Sequence, residues 1–262
     1  MTTPASTTPA VTLGHRRALV TGAASGIGLA IVEALVAQGT TVLASDIAGP
    51  ALDALPARLG VSIQAADLTQ RADVDRLAAA AGACDVLINN AGLQHVSPIE
   101  EFDPAMWDRL LAVMLTAPFL LIRALLPGMY ARGWGRIVNV ASVHALVASP
   151  YKSAYVTAKH GVLGLTKTVA LEAGARCPAI TVNAVCPSYV RTPLVEKQIA
   201  QQAKAHGISE DEVLGKVLLT QNAIKRLIEP SEVAHCVLHL LAEQSWSTTG
   251  AAVTMDAGWL AH

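Results

Sequence analysis

The sequence predicts an α/β fold, in which helices cover both faces of a doubly wound, seven-stranded parallel sheet in a single domain. Three observations predict it. Short β-branched runs alternate with longer helical patterns from residue 16 onward, no linker-like stretch divides the chain, and a glycine-rich turn joins the first strand to the first helix. With 262 residues, 52% of them hydrophobic, the chain can bury a substantial core.

The elements follow one another in a regular order. Apolar or β-branched runs bounded by turn residues predict strands at 18–21, 41–45, 62–65, 86–89, 136–141, 180–186 and 251–255. Apolar residues at helical spacing predict helices at 27–38, 51–59, 72–81, 104–132, 153–174, 193–205, 210–219 and 230–242. Because helices separate the strands, we expect the strands to run parallel.

Two stretches lie outside this alternation. The segment 192–229 has helices but no strand between them, which favours a small helical lid over a site; extra packing is the alternative. Residues 1–13 lack the basic start and apolar run of a signal peptide. We expect them to be a disordered tail that precedes one domain at 14–262.

Composition excludes several classes of function. The net charge is −1 with no basic block, so neither nucleic acid nor an anionic membrane surface is an expected partner. The longest apolar stretch, 110–122, is shorter than the ~20 residues that span a bilayer. The four cysteines have no Cys-x-x-Cys spacing, which predicts free thiols in a reducing cytoplasm. No metal site is expected: His235 and His239 have helical spacing without the carboxylate base of a metalloprotease motif.

The segment 21–28, TGAASGIG, follows the first strand and opens the first helix. Its glycines let the backbone turn tightly and let a pyrophosphate approach the free amides of the helix N-terminus. We therefore predict a Rossmann-type dinucleotide site, with contacts from Gly22, Ser25, Gly26, Ile27 and Gly28.

Polar residues at the next strand ends extend this site. Asp46 ends the second strand, where its carboxylate could accept both ribose hydroxyls of an adenosine. A 2′-phosphate there would meet that charge, and the glycine loop has no Lys or Arg to compensate, so NAD is favoured over NADP. Asp67 and Leu68 are placed to meet the adenine, and the Asn90–Gly92 turn to lie beside the ribose; each is an ordinary turn residue if considered alone.

A tyrosine and a lysine follow the fifth strand. Tyr155 and Lys159 lie one turn apart, roughly 6 Å along a helix that Ser153 can cap. A free phenol has a pKa of about 10, which a lysine and a cationic nicotinamide ring together could lower. Ser142 would hold an alcohol or carbonyl oxygen opposite the phenol. A Tyr-x-x-x-Lys pair by itself is usually coincidental, but with Ser142 and the nucleotide motifs it indicates acid/base chemistry on alcohols and ketones.

These motifs, with NNAG at 89–92 and the segment 187–192, resemble the short-chain dehydrogenase/reductase family from about residue 15 onward. The resemblance implies hydride transfer with Tyr155 as the acid/base, Lys159 lowering its pKa and binding the nicotinamide ribose, and Ser142 orienting the substrate oxygen. It also implies that Val190 and Thr192 lie near the nicotinamide amide, and that a homotetramer forms partly on the two long helices.

A finer resemblance, in segments 90–96, 141–144, 158–161, 192–199 and 256–259, is to the soluble bacterial D-3-hydroxybutyrate dehydrogenases. It implies that the substrate carboxylate is bound by Gln94, His144, Lys152 and Gln198. All four are expected at the carboxyl ends of strands and offer enough donors for a small carboxylate. The expected reaction is the reversible NAD-dependent oxidation of D-3-hydroxybutyrate to acetoacetate, a step of ketone body metabolism. The alternative within the family is another hydroxy acid or a neutral ketone.

Two residues depart from the family pattern. Met114 stands where the family usually has an asparagine that helps hold a helix distortion and a water relay toward the lysine, and its side chain cannot hydrogen-bond in that way. Pro118, which lacks an amide, already weakens the helix ladder nearby. An NAD-binding protein with impaired catalysis is therefore a second class of hypothesis. Ser188, where the family tends to have glycine, is a smaller departure.

Overall fold

A single parallel sheet forms the centre of the computed structural model, which describes residues 13–193, 195–196, 199, 203 and 207–261. Its strands are β1 (Arg17–Thr21), β2 (Thr41–Asp46), β3 (Ser62–Ala65), β4 (Val86–Asn89), β5 (Gly135–Val140), β6 (Ile180–Pro187) and β7 (Ala252–Met255). They lie in the order β3-β2-β1-β4-β5-β6-β7, and all neighbours are parallel. The order reverses between β1 and β4, where sheets of this type form a ligand crevice. The predicted fold class is confirmed.

Helices connect the strands and cover both faces. They are α1 (Gly26–Ala37), α2 (Pro50–Asp53), α3 (Leu55–Leu59), α4 (Arg71–Ala81), α5 (Pro104–Leu111), α6 (Ala117–Arg132), α7 (Ser153–Arg176), α8 (Glu210–Val213) and α9 (Pro230–Leu241). A π turn at Ala112–Thr116 joins α5 to α6, and a second at Leu214–Leu218 follows α8. Single 3-10 turns lie at Ile99–Glu101, Val143–Ala145 and Glu243–Ser245.

The two faces of the sheet carry separate hydrophobic clusters. Val20 and Ile88 pack with α1 and α9 on one face, whereas their neighbours Leu19 and Leu87 pack with α4, α6 and α7 on the other. Side chains alternate between faces along a strand, so a strand buried on both faces must be apolar throughout. That is why the strands could be predicted from continuous apolar runs, each end to within one residue.

Three local expectations were wrong. The helix at 51–59 is divided into α2 and α3, because Pro56 has no amide to donate to the carbonyl of Leu52. Ser153 is the first residue of α7 and not its cap: the capping position is Lys152, and the Ser153 hydroxyl has no hydrogen-bond partner among the described residues. Leu13 is buried in the core, so the domain begins before residue 14. The rest of the predicted tail, residues 1–12, lies outside the described residues.

The predicted helix at 104–132 is present, and it is the longest apolar helix among the described residues. Pro104–Arg132 runs continuously for 29 residues and is long and apolar enough to span a membrane by length and composition alone, a test that the core helix of a soluble protein also passes. The stretch 110–122, on which the sequence argument relied, is therefore one part of a longer apolar helix. Half of its most apolar window is buried inside the fold, where Leu121, Leu125 and Met129 pack against the sheet.

The predicted lid region has an apolar cluster of its own. Residues 193, 195, 196, 199 and 203 are helical. Ile199, Val213, Leu219 and Leu227 are buried together, and a bridge between Val190 and Ile228 connects the start and end of the region. Weak packing, on which the lid expectation depended, is not observed for the described residues. The lid itself stays a prediction.

Candidate active site

A cavity of about 460 Å³ opens at the carboxyl ends of the strands. Most of the predicted site residues that the structure describes line it: Gly22, Ser25, Gly26, Ile27, Asp46, Asp67, Leu68, Asn90, Gly92, Gln94, Ser142, His144, Lys152, Tyr155, Lys159, Val190 and Thr192. Gly28 is buried one step further into α1. Gln198 lies outside the described residues. The segments that follow successive strands therefore line a single crevice, as expected for a parallel sheet.

The glycine loop is shaped to receive a dinucleotide. A Cβ atom on Gly28 would lie 1.9 Å from the carbonyl oxygen of Gly22, and one on Gly22 would lie 2.8 Å from Cα of Ala91. Gly22 also has φ +62°, a conformation that favours glycine. Ser25 precedes α1 without capping it through its side chain, so its hydroxyl and the first amides of the helix are available to a phosphate. These residues fit a nicotinamide dinucleotide.

Asn90 supports the loop from the neighbouring strand. Its Nδ2 donates to the carbonyl oxygens of Thr21 and Gly22, at 3.0 and 2.9 Å. The hydroxyl of Thr21 in turn accepts from the amides of Asn90 and Ala91, both at 3.1 Å. Asn90 was predicted to lie beside the ribose; it lines the cavity, but its side-chain amide is used to hold the glycine loop.

Asp46 and Asp67 line the part of the crevice where the sequence predicts the adenosine. Asp46 accepts from the amides of Ala24 and Ile47, at 2.9 and 2.8 Å, which fixes the plane of its carboxylate. Each carboxylate oxygen retains a further lone pair for a ligand hydroxyl. The amide and hydroxyl of Thr69 donate to Asp67, and these bonds lower the pKa of the Asp67 carboxyl. Arg109, which the sequence analysis did not select, also lines this end of the cavity.

Tyr155 and Lys159 lie where α7 passes the end of β5. The Lys159 ammonium is 5.5 Å from the centre of the Tyr155 ring and donates to the carbonyl oxygen of Val140 at 2.7 Å. Burial lowers the pKa of Lys159 to about 8. Burial also raises the pKa of Tyr155, while a hydrogen bond from Ser142 acts in the opposite direction. The expected lowering of the phenol pKa is thus not produced by the chain's own groups, because the desolvation of the phenolate outweighs them.

Ser142 and His144 form the wall opposite Tyr155. Ser142 Oγ accepts from the His144 amide at 3.2 Å and lies 3.4 Å from Nδ1 of the same residue. His144 Nε2 lies 2.7 Å from Ser149 Oγ. Both ring nitrogens of His144 therefore face serine hydroxyls of the chain, which does not agree with its predicted role as a ligand of the substrate carboxylate.

An aromatic pair that the sequence analysis missed lines the cavity near Lys152. Tyr189 and Trp259 stack with their centres 6.0 Å apart, and His144 contacts Trp259 edge-on at 5.6 Å. The Lys152 ammonium lies 5.9 Å from the centre of the Tyr189 ring, and burial lowers its pKa. The only sequence signal for either residue was its place in a segment of the family resemblance, 187–192 for Tyr189 and 256–259 for Trp259.

Met114 is buried below this end of the site. It lies within the π turn Ala112–Thr116 and packs with Leu110, Ala154 and Ala158. The helix distortion is therefore present without an asparagine. Pro118 accounts for part of it, since a regular α-helix would require its missing amide to donate to the carbonyl of Met114. Whether the methionine impairs catalysis stays a prediction.

The cysteines and potential metal ligands among the described residues form no second candidate site. The four cysteines are free, and nowhere in 13–193 or 207–261 do three His, Cys, Asp or Glu side chains converge as metal ligands would.

Comparison with known proteins places these features in a family. A family model described as short chain dehydrogenase matches residues 16–203. The D-beta-hydroxybutyrate dehydrogenase of Rhizobium meliloti (strain 1021) is 44% identical over 258 residues, which cover 94% of this chain and 99% of that protein. The enzyme of the same name from Cupriavidus necator is 40% identical over 259 residues, covering 95% of this chain and 100% of that protein.

A solved structure agrees with the fold. The L-sorbose reductase of Gluconobacter frateurii, in complex with NADPH and L-sorbose, superimposes with a TM-score of 0.88 at 29% identity, over 97% of this chain and 99% of that one.

Proposed function

Because the chain belongs to the short chain dehydrogenase family, we propose that it oxidises D-3-hydroxybutyrate reversibly to acetoacetate, with NAD as the hydride acceptor. The observation that carries the proposal is the position of Lys152, a partly buried cation at the same end of the cavity as Tyr155. The names of the relatives at 44% and 40% identity support the same substrate.

The chain's own groups divide the work on the reacting alcohol. Tyr155 takes the hydroxyl proton in the oxidation and returns it in the reduction, and Ser142 hydrogen-bonds the same oxygen. Lys159 supplies the positive charge beside the phenol. A nicotinamide dinucleotide held by the glycine loop would supply the hydride acceptor for C3. Tyr189 and Trp259 exclude water from this end, which strengthens the polar contacts inside.

Charge favours an anionic substrate at the end of the cavity that holds Tyr155. Lys152 and Lys159 are there, while the acidic residues among the described lining residues, Asp46 and Asp67, lie at the adenosine end. Gln94 accepts from the amide of His95 through its oxygen, which leaves its side-chain nitrogen to donate to a ligand. A neutral ketone would gain nothing from the lysine at position 152.

Replacing Lys152 tests the substrate assignment. Lys152→Ala should raise KM for D-3-hydroxybutyrate by roughly 10- to 100-fold, the cost of losing one charged hydrogen bond, and should leave KM for a neutral secondary alcohol nearly unchanged. Steady-state kinetics on both substrates measures the difference. Lys167→Ala, on the exposed side of α7, the helix that Lys152 precedes, is the matched control. Equal losses for the two substrates would show that Lys152 does not recognise a carboxylate.

Asp46 supports NAD as the cofactor, although the sorbose reductase named above was solved with NADPH. Its charge would repel a 2′-phosphate at the ribose. We expect wild-type protein to prefer NAD, and Asp46→Asn, which keeps the shape and removes the charge, to raise kcat/KM for NADP by about tenfold. Asp53→Asn, an exposed change on α2, is the control. If NADP is the better cofactor of the wild type, the assignment of NAD is wrong.

The assembly and location belong to the same proposal. We propose a cytoplasmic homotetramer built partly on α6 and α7, which the family resemblance implies. Phe119 and Leu171, at 47% and 77% exposure, give these two long helices apolar surface that a second copy of the chain would cover. Sedimentation of the purified protein measures the mass.

A further inference from the structure

His144 stands between two serine hydroxyls. Its Nε2 lies 2.7 Å from Ser149 Oγ, and its Nδ1 lies 3.4 Å from Ser142 Oγ. Burial, together with the charges of Lys152 and His160, lowers the pKa of His144 to about 4, so the ring is neutral at neutral pH. A neutral imidazole donates from one nitrogen and accepts at the other. The two serines must therefore play opposite roles toward it.

The tautomer of His144 decides where the Ser142 proton goes. Ser142 Oγ already accepts from the His144 amide, and the carbonyl of Pro187 is a distant acceptor at 3.5 Å. An Nδ1 that carries no hydrogen would accept a hydrogen bond from the Ser142 hydroxyl and so turn that hydroxyl's hydrogen away from the cavity. An Nδ1–H would instead donate to Ser142 Oγ and leave the Ser142 proton to the substrate oxygen.

We propose that Ser149 is a positioning residue: its hydroxyl donates to Nε2 of His144, keeps the ring hydrogen on Nδ1, and so directs the Ser142 hydroxyl toward the substrate oxygen. Three donations then run in one direction, from Ser149 to His144, from His144 to Ser142, and from Ser142 to the reacting oxygen. Each strengthens the next, and no proton is transferred along them. The contact of the His144 ring with Ser149, at 2.7 Å, is shorter than its contact with Ser142, at 3.4 Å, so Ser149 is the stronger hydrogen-bond partner of the ring.

This inference rests on the proposed function, since it requires a substrate oxygen between Ser142 and Tyr155. It also replaces the expectation that His144 binds the carboxylate: with both ring nitrogens facing serine hydroxyls, His144 orients Ser142, and the carboxylate is left to Lys152 and Gln94 among the described residues.

The direct test is the tautomer of His144 in the NAD-bound wild-type protein. Nitrogen-15 NMR of histidine-labelled protein distinguishes the two tautomers, and a His144→Gln sample identifies the signal. We expect the hydrogen on Nδ1 in the wild type, and its movement to Nε2 in Ser149→Ala. This measurement needs no turnover, so it decides the inference even if the substrate assignment fails.

Kinetics supply the second test. Ser149→Ala should lower kcat by about tenfold, the value of one neutral hydrogen bond, and change KM for the hydroxy acid less than about twofold. Ser149→Thr keeps the hydroxyl and should restore kcat. Ser153→Ala, which removes a hydroxyl that has no partner among the described residues, is the matched control.

Three results would overturn the inference: an Nε2–H tautomer in the wild type, an unchanged tautomer and kcat in Ser149→Ala, or a rise in KM alone. If Ser149→Ala does not fold, the wild-type tautomer and the rate of Ser149→Thr decide.

Discussion

Tyr155→Phe is expected to lower kcat by about 10³-fold, within the range that one general acid/base group contributes. The phenylalanine ring fills the same space between His144 and the Lys159 ammonium, so the shape of the cavity is kept. What is lost is the one hydroxyl that can exchange a proton with the alcohol oxygen. KM for the substrate and the dissociation constant of NAD should therefore change little. Single-turnover measurements of NADH formation, with NAD binding followed by fluorescence, separate these quantities.

Tyr130→Phe is the control for that experiment. Tyr130 lies on α6, outside the lining of the cavity, with its ring against Arg176, and burial raises the pKa of this phenol too. Its substitution should leave kcat within about twofold of the wild type, as expected for a surface change. A Tyr155→Phe protein that folds, binds NAD and retains a tenth or more of the wild-type rate would mean that another group moves the proton.

Lys159→Met should have the second largest effect, a fall in kcat of roughly 10²-fold together with weaker NAD binding. The substitution removes the chain's own cation beside the phenol and its contact with the nicotinamide ribose, which the family resemblance implies. Methionine fills a similar volume but leaves the carbonyl of Val140 without its donor, which costs about 1–3 kcal/mol. Relief from burying a charge offsets part of this cost. The free energy of unfolding should therefore change by less than the activation free energy of the reaction does.

The stability of Lys159→Met also has a pH signature. In the folded protein the pKa of Lys159 is about 8, below its ordinary value of 10.5, so between these values the unfolded chain binds more protons than the folded one. The free energy of unfolding of the wild type should rise with pH through this window, and Lys159→Met should lose that rise. Lys167→Met, exposed on the same helix, should keep it. Urea unfolding at several pH values measures it, and identical slopes for all three proteins would refute the charge assignment.

The fold was predictable because the burial of both sheet faces leaves continuous apolar runs. Residues 86–89 illustrate this: all four are buried, and the run alone predicted both ends of β4. That residues such as Asp46 and Ser142 line one cavity was also predictable, because parallel strands bring them to one edge of the sheet whatever their distance in sequence.

What the sequence could not predict depends on side-chain direction and burial. Tyr189 follows β6 and Trp259 follows β7, so these two side chains meet only once the two strands have paired. The contact of Ser149 with His144 depends in the same way on the turn that carries both residues. The sequence argument also left out the burial of Tyr155, which raises the pKa of its phenol when only the chain's own groups act. A spacing of four residues predicts the neighbouring cation, but not the desolvation that outweighs it.

Met114 shows that one substituted residue in a family motif does not by itself decide the local structure. The missing asparagine left the helix distortion without its usual support and led to a second, non-catalytic class of hypothesis. The π turn is present, and the methionine fills the space beside Gly92, where a Cβ atom would lie 3.6 Å from its sulfur. Backbone geometry at Pro118 and packing thus supply part of what the motif assigned to a hydrogen bond.

The central claim is tested most directly by the formation of NADH from NAD and D-3-hydroxybutyrate by the wild-type protein, followed at the NADH absorption band. The L-enantiomer and a neutral secondary alcohol serve as controls, and binding of NAD is measured on the same sample. We predict rapid NADH formation with the D-enantiomer and much slower formation with either control. A flat trace with D-3-hydroxybutyrate, in protein that binds NAD, would contradict the proposed function and favour the binding-protein alternative.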